Sequence, residues 1–237
     1  MDPMTAEERR AQLRAAICSR DDQAVIALLR TRPWPQNALQ LIGDAIIATL
    51  SQHTDDDTAG LARDCVVELR GRGWAGDDEL ADQLDARLGT GAARSLRPLP
   101  VDLEELAMVL EGDPLSGRGR LDITTGEVWS AVVIEYSRDL GDDDVDDDPD
   151  RWLSIDNLGS RSGYRDMQEF IGTIGDPDRA DRLEIAIEGR GAFHRFKNTL
   201  ARWPAELQRW HDFSDERQRG RARAWLAEEG YHPMPPS

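Results

Sequence analysis

Apolar side chains recur at helical spacing through the first hundred residues, and this periodicity restricts the fold more than any other feature. Leu13 and Ile17 are four residues apart, as are Val25 and Leu29, and this interval places side chains on one face of an α-helix. Prolines and glycines interrupt the pattern at short intervals and so divide it into separate helices. Residues 5–97 are therefore predicted to be entirely helical.

A longer pattern recurs within this helical region after forty residues. Leu-Arg-x-Arg-x-Trp at 29–34 appears again at 69–74, and each copy has the order helix, basic turn, tryptophan, helix. Helical-repeat proteins build their core from stacked hairpins of about this length. We interpret Trp34 and Trp74 as packing residues at the turns. By architectural analogy alone, the segment is predicted to be a scaffold that binds a partner.

The pattern changes after residue 97. The prolines of Arg97-Pro98-Leu99-Pro100 favour an extended boundary between a helical, repeat-like domain at 1–97 and a second domain at 98–237. A short helix is predicted at 101–110, and side chains then alternate as in strands, which predicts a β-hairpin at about 119–136.

The remaining elements complete the predicted fold class. Thr125-Gly126 is the predicted hairpin turn, Trp152–Ile155 a third strand, and 163–230 a group of C-terminal helices. The chain is therefore predicted to be α+β and mostly α, with a helical-hairpin repeat followed by a small antiparallel sheet packed with the C-terminal helices.

An acidic segment at 139–150 separates the second and third predicted strands. Asp142, Asp144 and Asp146 have the spacing of the first three ligands of an EF-hand. The sixth position of that pattern is Asp147, where glycine is required, and the twelfth is Leu153 instead of glutamate. The segment is therefore predicted to be a solvated loop and not a calcium site.

Composition limits the partners. A formal charge of −17 disfavours non-specific binding to nucleic acid and permits a basic partner. Residues 1–8 lack the apolar core of a signal peptide, and no apolar run is long enough to cross a membrane. Cys18 and Cys65 occur in apolar helical patterns and are predicted to be buried free thiols. These features predict a cytoplasmic protein that binds no membrane.

The stretch Gly189–Lys197 is the clearest candidate site. Gly189 is predicted to end one helix and Gly191 or Ala192 to begin the next, with Phe193, Phe196 and Leu200 forming a buried stripe. The cations around this helix start would then face solvent, where exposed N–H groups attract anions. The candidate anion- or partner-binding residues are Arg190, His194, Arg195, Lys197 and, on the last helix, Arg221.

A purely structural interpretation of the same stretch stays open, because its cations would also balance the acidic segments elsewhere. From Gly189 to Trp225 the sequence has nine cations against four carboxylates, so the molecule is electrically polarised. No catalytic residues, metal ligands or cofactor-binding residues are predicted. His194, His211 and Asp212 lack the spacing of a metal or acid–base site and are interpreted as surface residues.

Several short motifs in the second half resemble a bacterial protein family that is catalogued only as uncharacterised. Its members combine a strand hairpin with a helical Ala-Phe-Arg-Arg-Phe-Lys-Asp-like run, and the resemblance covers roughly residues 101–231. This chain departs from the pattern at His194, where arginine is expected, and at Asn198, where aspartate is expected. The resemblance implies the fold and no activity. Its motifs are Leu121-Asp122, Thr125-Gly126-Glu127, Tyr164–Met167 with Phe170, Gly189–Lys197 and Trp210.

Three functions remain from the sequence. The favoured one is a non-enzymatic adaptor or regulator. It would bind another protein through the helical repeat or through the basic stretch Gly189–Lys197. The alternative is a nucleic-acid, nucleotide or anion binder that uses the basic C-terminal helices. The third is an enzyme whose site is assembled from residues distant in sequence.

Overall fold

The protein folds into eleven helices and five short strands over the residues that the computed structural model describes, namely 6–52, 55–91, 95–112, 117–139, 148 and 150–234. The predicted class, α+β and mostly α, is confirmed. The acidic run at 140–147 lies outside the described residues, so the EF-hand comparison and the predicted loop are not addressed. No helix of the described part is long and apolar enough to cross a membrane.

The elements follow one another in a simple order. The helices are α1 (Ala6–Cys18), α2 (Asp22–Leu29), α3 (Leu39–Gln52), α4 (Asp56–Arg72), α5 (Asp77–Leu88), α6 (Leu103–Leu110), α7 (Ala131–Asp139), α8 (Ser160–Ile171), α9 (Pro177–Ile187), α10 (Ala192–Leu200) and α11 (Pro204–Glu228). The strands are β1 (Arg97–Leu99), β2 (Gly119–Asp122), β3 (Val128–Trp129), β4 (Trp152–Ile155) and β5 (Tyr231–Pro233).

Contacts divide the chain into two compact units. The first unit comprises residues 1–98 and 219–237, and the second comprises residues 99–218. The division therefore falls within α11, whose last ten residues, 219–228, belong to the first unit. The predicted domain boundary after residue 97 stays a prediction.

The core of the first unit is built around α3. This helix is apolar on nearly all sides, so it is stable only when other helices cover it. Gly43 on α3 allows close packing, because a Cβ atom at this position would lie 2.5 Å from Cδ2 of Leu80 on α5.

Cys65 is buried in α4, but Cys18 at the end of α1 is exposed, so the expectation that both thiols are buried is wrong for Cys18.

The two tryptophan turns adopt related arrangements. The Arg32 guanidinium lies 3.4 Å from the centre of the Trp34 ring, and that of Arg72 lies 4.3 Å from the Trp74 ring. The indole N–H of Trp34 donates to the carbonyl oxygen of Leu29 over 2.7 Å. Each turn thus stacks an arginine on a tryptophan between two helices. The helical repeat itself stays a prediction.

A buried polar network lies within the first unit. Arg223 is 1% exposed and donates to the side-chain oxygens of Gln40 and Gln83 over 2.8 and 3.1 Å. It also pairs with Asp44, which accepts a 3.0 Å bond from Arg219. A buried guanidinium is tolerated because its donors are satisfied in this way.

Two glycines permit a close backbone approach in the same unit. A Cβ atom at Gly220 would lie 2.2 Å from the carbonyl oxygen of Ala75, and a Cβ atom at Gly76 would lie 2.1 Å from the carbonyl oxygen of Gly220. The C-terminal part of α11 therefore packs on the turn between α4 and α5 at a distance that excludes side chains at both positions.

The second unit contains an antiparallel sheet with the strand order β3-β2-β4. Leu121 at its centre is paired with Val128 on one side and with Leu153 on the other. The unit also contains an aromatic cluster in which Phe170 makes edge contacts with Phe196 and Trp210, with ring centres 6.3 and 5.3 Å apart.

The predicted strand of the hairpin is much shorter than expected. β3 ends at Trp129, and residues 131–139 form α7 instead of continuing the strand to residue 136. The physical reason is the length of the partner, because β2 has only four residues and pairs with β3 over two of them. Helix formation satisfies the backbone groups that lack a strand partner.

The sequence pattern predicts two helices here, at 204–213 and 215–229, with Ser214 as the N-cap of the second. The structure has one continuous helix instead, α11. Ser214 lies within this helix, where its hydroxyl accepts from the Gln218 side chain over 3.1 Å, and it is not an N-cap. No proline follows Pro204 within the helix, and so nothing in the backbone interrupts its hydrogen bonds.

Candidate functional site

A cleft of about 640 Å³ lies in the second unit. Three helices contribute most of its lining: α8 contributes Ser160, α10 contributes Phe193 and Lys197, and α11 contributes His211 and Asp215. The cleft thus combines an aromatic ring with groups of both charges. A concave surface of this kind is the default candidate for binding.

Helical spacing explains why these side chains share the cleft. Phe193 and Lys197 are four residues apart and therefore lie one above the other on the same face of α10. Phe196 and Leu200 lie beside this pair around the helix and are fully buried. Phe193 is 37% exposed, so its predicted place in the buried stripe is wrong. It lines the cleft instead.

The start of α8 lies at the cleft, because Gly159 and Ser160 line it. Gly159 is the N-cap, and no side chain caps the first turn that begins at Ser160. N–H groups at such a position need acceptors from outside the helix. The carboxylates of Glu111 and Asp215 also line the cleft, so its charge is mixed and not uniformly basic.

Lys197 is the only lysine of the chain. Among the residues that the structure describes, its ammonium group has no hydrogen-bond or ion-pair partner, and its side chain is exposed. Arg190 and Arg202 are also exposed, and their guanidinium groups have no partner within the same part of the chain. These three are the cations of the 189–225 segment whose charge is available to a ligand.

Most other cations of that segment are paired internally. Arg217 contacts the carboxylates of Asp166 and Glu169, each at 3.0 Å, and Arg209 contacts Glu206 at 2.5 Å. Arg219 and Arg223 both pair with Asp44. The basic surface that the sequence indicates is therefore largely neutralised.

Arg195 stabilises the turn between α9 and α10. Its Nε–H donates to the carbonyl oxygen of Ala186 over 3.0 Å, and its two terminal nitrogens donate to the carbonyl oxygens of Glu188 and Arg190. Carbonyl groups at a helix end otherwise lack partners. Gly189 and Gly191 make the sharp turn possible, because both have positive φ angles, of 72° and 77°. Arg195 thus holds the end of α9 against the start of α10.

Arg195→Gln is expected to lower the free energy of unfolding by about 1–2 kcal/mol, because it removes charge-assisted bonds to three carbonyl groups. Urea denaturation followed by circular dichroism measures the change. Arg190→Gln is the matched control and is expected to leave stability unchanged. Equal stability of the two variants would contradict a capping role for Arg195.

His194 and Asn198 form one contact. The Asn198 amide nitrogen lies 3.1 Å from Nδ1 of His194, four residues away on α10. These are the two positions at which the chain departs from the family pattern, where arginine and aspartate are expected. The two departures therefore lie next to each other on α10.

Of the five predicted site residues, only Lys197 lines the cleft. Arg190 and His194 are exposed outside its lining, Arg195 bonds to the turn between α9 and α10, and Arg221 is half-buried in the part of α11 that belongs to the first unit. Sequence reasoning missed Ser160, His211 and Asp215 as cleft residues. The sequence signal that could have located the cleft is the four-residue spacing of Phe193 and Lys197, which places both side chains on one face of α10.

The motif Leu121–Glu127 has a structural role. The buried Asp122 carboxylate accepts from the backbone N–H groups of Thr124 and Thr125 and from Arg151 over 2.7, 3.2 and 2.9 Å. Burial opposes ionisation of Asp122, but these donors outweigh it and hold its pKa below the ordinary value. At Gly126 a Cβ atom would lie 2.2 Å from the carbonyl oxygen of Pro100. The motif therefore builds a turn.

Two comparisons with known proteins identify the same family. The model of the Uncharacterised protein family (UPF0158) matches residues 121–235. UPF0158 protein PA5073 of Pseudomonas aeruginosa strain PAO1 is 30% identical over 142 residues, which are 58% of this chain and 88% of that protein. No solved structure matches. The cleft residues from Gly159 onward lie within the matched segment.

Proposed function

The chain belongs to the UPF0158 family, and from this premise we propose that it is a non-enzymatic adaptor or regulator that binds another protein through the cleft of α8, α10 and α11. One observation carries the proposal. Phe193 and Lys197 stand side by side on α10 at the cleft, one an exposed aromatic ring and the other a cation without a partner in the described chain.

This pair favours a protein segment as the ligand. An acidic side chain of the partner would pair with Lys197 while an apolar neighbour covers the Phe193 ring. The cleft volume of about 640 Å³ suits a few side chains of a bound segment better than a whole folded surface. The uncapped N–H groups of α8 at Gly159 and Ser160 add donors for carbonyl or carboxylate oxygens.

The alternative is that the cleft binds nucleic acid, a nucleotide or another anion. Arg190, Lys197 and Arg202 support it, because they are the exposed cations of this region. The internal pairing of Arg209 and Arg217 and the carboxylates of Glu111 and Asp215 weaken it. Phosphate binding depends on the number of available cations, and few remain.

Site-specific photocrosslinking in the native bacterium tests the proposal. A benzophenone amino acid at Phe193 is expected to give discrete protein adducts, because the native residue is already aromatic and exposed. Lys197→Glu in the same protein is expected to reduce these adducts about tenfold, since it replaces attraction by repulsion. Ile185, on α9 and 66% exposed, is the matched control position and is expected to give no discrete adduct.

The outcomes separate the hypotheses. Adducts that contain nucleic acid and disappear at high salt would support the alternative function. Absence of any adduct specific to position 193, or adducts indifferent to Lys197→Glu, would contradict partner binding through this cleft.

A further inference from the structure

Helix α7 carries an apolar face that the described chain does not cover. Val132 is 68% exposed and Tyr136 is 65% exposed, and Val133 beside them is also exposed. Successive residues turn by about 100° around a helix, so these three side chains share one side. Ile134 points away from them and is buried, and this orientation fixes the outward direction of the exposed face.

The border of this face is acidic. Glu135 and Asp139 are both exposed and lie one turn apart beside Val132. The sequence continues the same sign, because 139–150 contains eight aspartates and no cation. The apolar face of α7, with negative charge along its border, thus differs from the cleft, which has charges of both signs.

Charge decides whether a second copy of the chain or a different protein would cover the apolar face of α7. A second copy would bring an identical acidic border against the first, in a chain of formal charge −17, and repulsion opposes that arrangement. A partner whose apolar side chains are surrounded by cations would cover the apolar face of α7 and also pair with its acidic border. An amphipathic helix presents such a pattern along one side.

We propose that the α7 face formed by Val132, Val133 and Tyr136 docks a basic amphipathic helix of another protein. The apolar side chains of that helix cover Val132 and Tyr136, and its lysines or arginines pair with Glu135 and Asp139. The surface shares no residue with the α8–α10–α11 cleft.

A synthetic helix tests this proposal with the full chain. The probe is a fluorescein-labelled peptide of leucine and lysine, about 18 residues long and thus about five helical turns, with leucines on one face. Fluorescence anisotropy is expected to show saturable binding. Val132→Gln with Tyr136→Gln is expected to weaken it about tenfold, because burial of two large side chains is lost.

Three controls make the result specific. Ile185→Gln removes an equally exposed aliphatic side chain from α9 and is expected to leave affinity unchanged. Glu135→Gln with Asp139→Asn is expected to weaken binding at low salt and to reduce its salt dependence. A peptide with glutamate in place of lysine is expected not to bind. Circular dichroism confirms that each variant is folded.

Several results would overturn the proposal. Equal affinity of the wild type and the Val132→Gln, Tyr136→Gln variant would show that the acidic charge alone attracts the peptide. Equal binding of the glutamate peptide would exclude charge recognition. A dimer in light scattering that this double variant dissociates would assign the face to a second copy. None of these outcomes depends on Lys197 or on the cleft.

Discussion

Gly220→Ala is expected to lower the free energy of unfolding by at least about 3 kcal/mol, because the added methyl group meets backbone and not a flexible side chain. The new Cβ atom would lie 2.2 Å from the carbonyl oxygen of Ala75. Rotation of a side chain cannot relieve this overlap, so α11 must move away from the α4–α5 turn. The movement would also strain the bonds of Arg223 to Gln40 and Gln83.

Gly60→Ala is the matched control. Gly60 lies within α4, and a Cβ atom there would meet no atom within 4 Å. Alanine in a helix interior is more favourable than glycine by about 0.5–1 kcal/mol, so this variant is expected to be slightly more stable than the wild type. Urea denaturation followed by circular dichroism measures both variants. Similar stabilities would contradict the close approach of Gly220 to residue 75.

Asp44→Ala is expected to lower the free energy of unfolding by about 3 kcal/mol, because it leaves a buried charge without its carboxylate partner. Arg223 is almost wholly buried, and Arg219 bonds to the same carboxylate over 3.0 Å. The matched control is Asp57→Ala, which removes an exposed ion pair with Arg30 and is expected to cost about 0.5 kcal/mol or less.

The contribution of Asp44 depends on pH. Burial opposes its ionisation, but Arg223 and Arg219 outweigh burial, and the pKa of Asp44 in the folded protein lies below the ordinary value of 3.8. A lowered folded-state pKa stabilises the protein above the unfolded-state value, and the contribution is lost as pH falls through the folded-state value. The stability difference between wild type and Asp44→Ala is therefore expected to be full at neutral pH and to shrink in acid below about pH 4. A constant difference down to low pH would exclude this linkage.

Local patterns explain most of the secondary structure that sequence reasoning predicted. Asp176 caps α9 by accepting from the backbone N–H of Arg179, and Pro177 follows at the first position, where these two residue types are favoured in helices generally. The strand Trp152–Ile155 is also confirmed. Such signals operate over a few residues and need no knowledge of the rest of the fold.

The features that were missed depend on distant residues. Arg223 is part of a basic run in the sequence, but its bond to Gln40 joins positions 183 residues apart, and no local pattern indicates that it is buried. Phe193 fits a buried stripe as well as Phe196 does. Packing against the aromatic cluster selects Phe196, whose ring centre lies 4.8 Å from that of Trp210, and leaves Phe193 for the cleft.

The single lysine at the cleft has a practical consequence for the search for partners. Reagents that acylate primary amines have one side-chain target in this chain, Lys197, besides the terminal amine. Immobilisation through amines would therefore attach the protein to a sensor surface by the same group that is proposed to receive the ligand. Attachment through the exposed thiol of Cys18 leaves that group free, and loss of Lys197 acylation in the presence of a candidate protein becomes a direct footprint of occupancy.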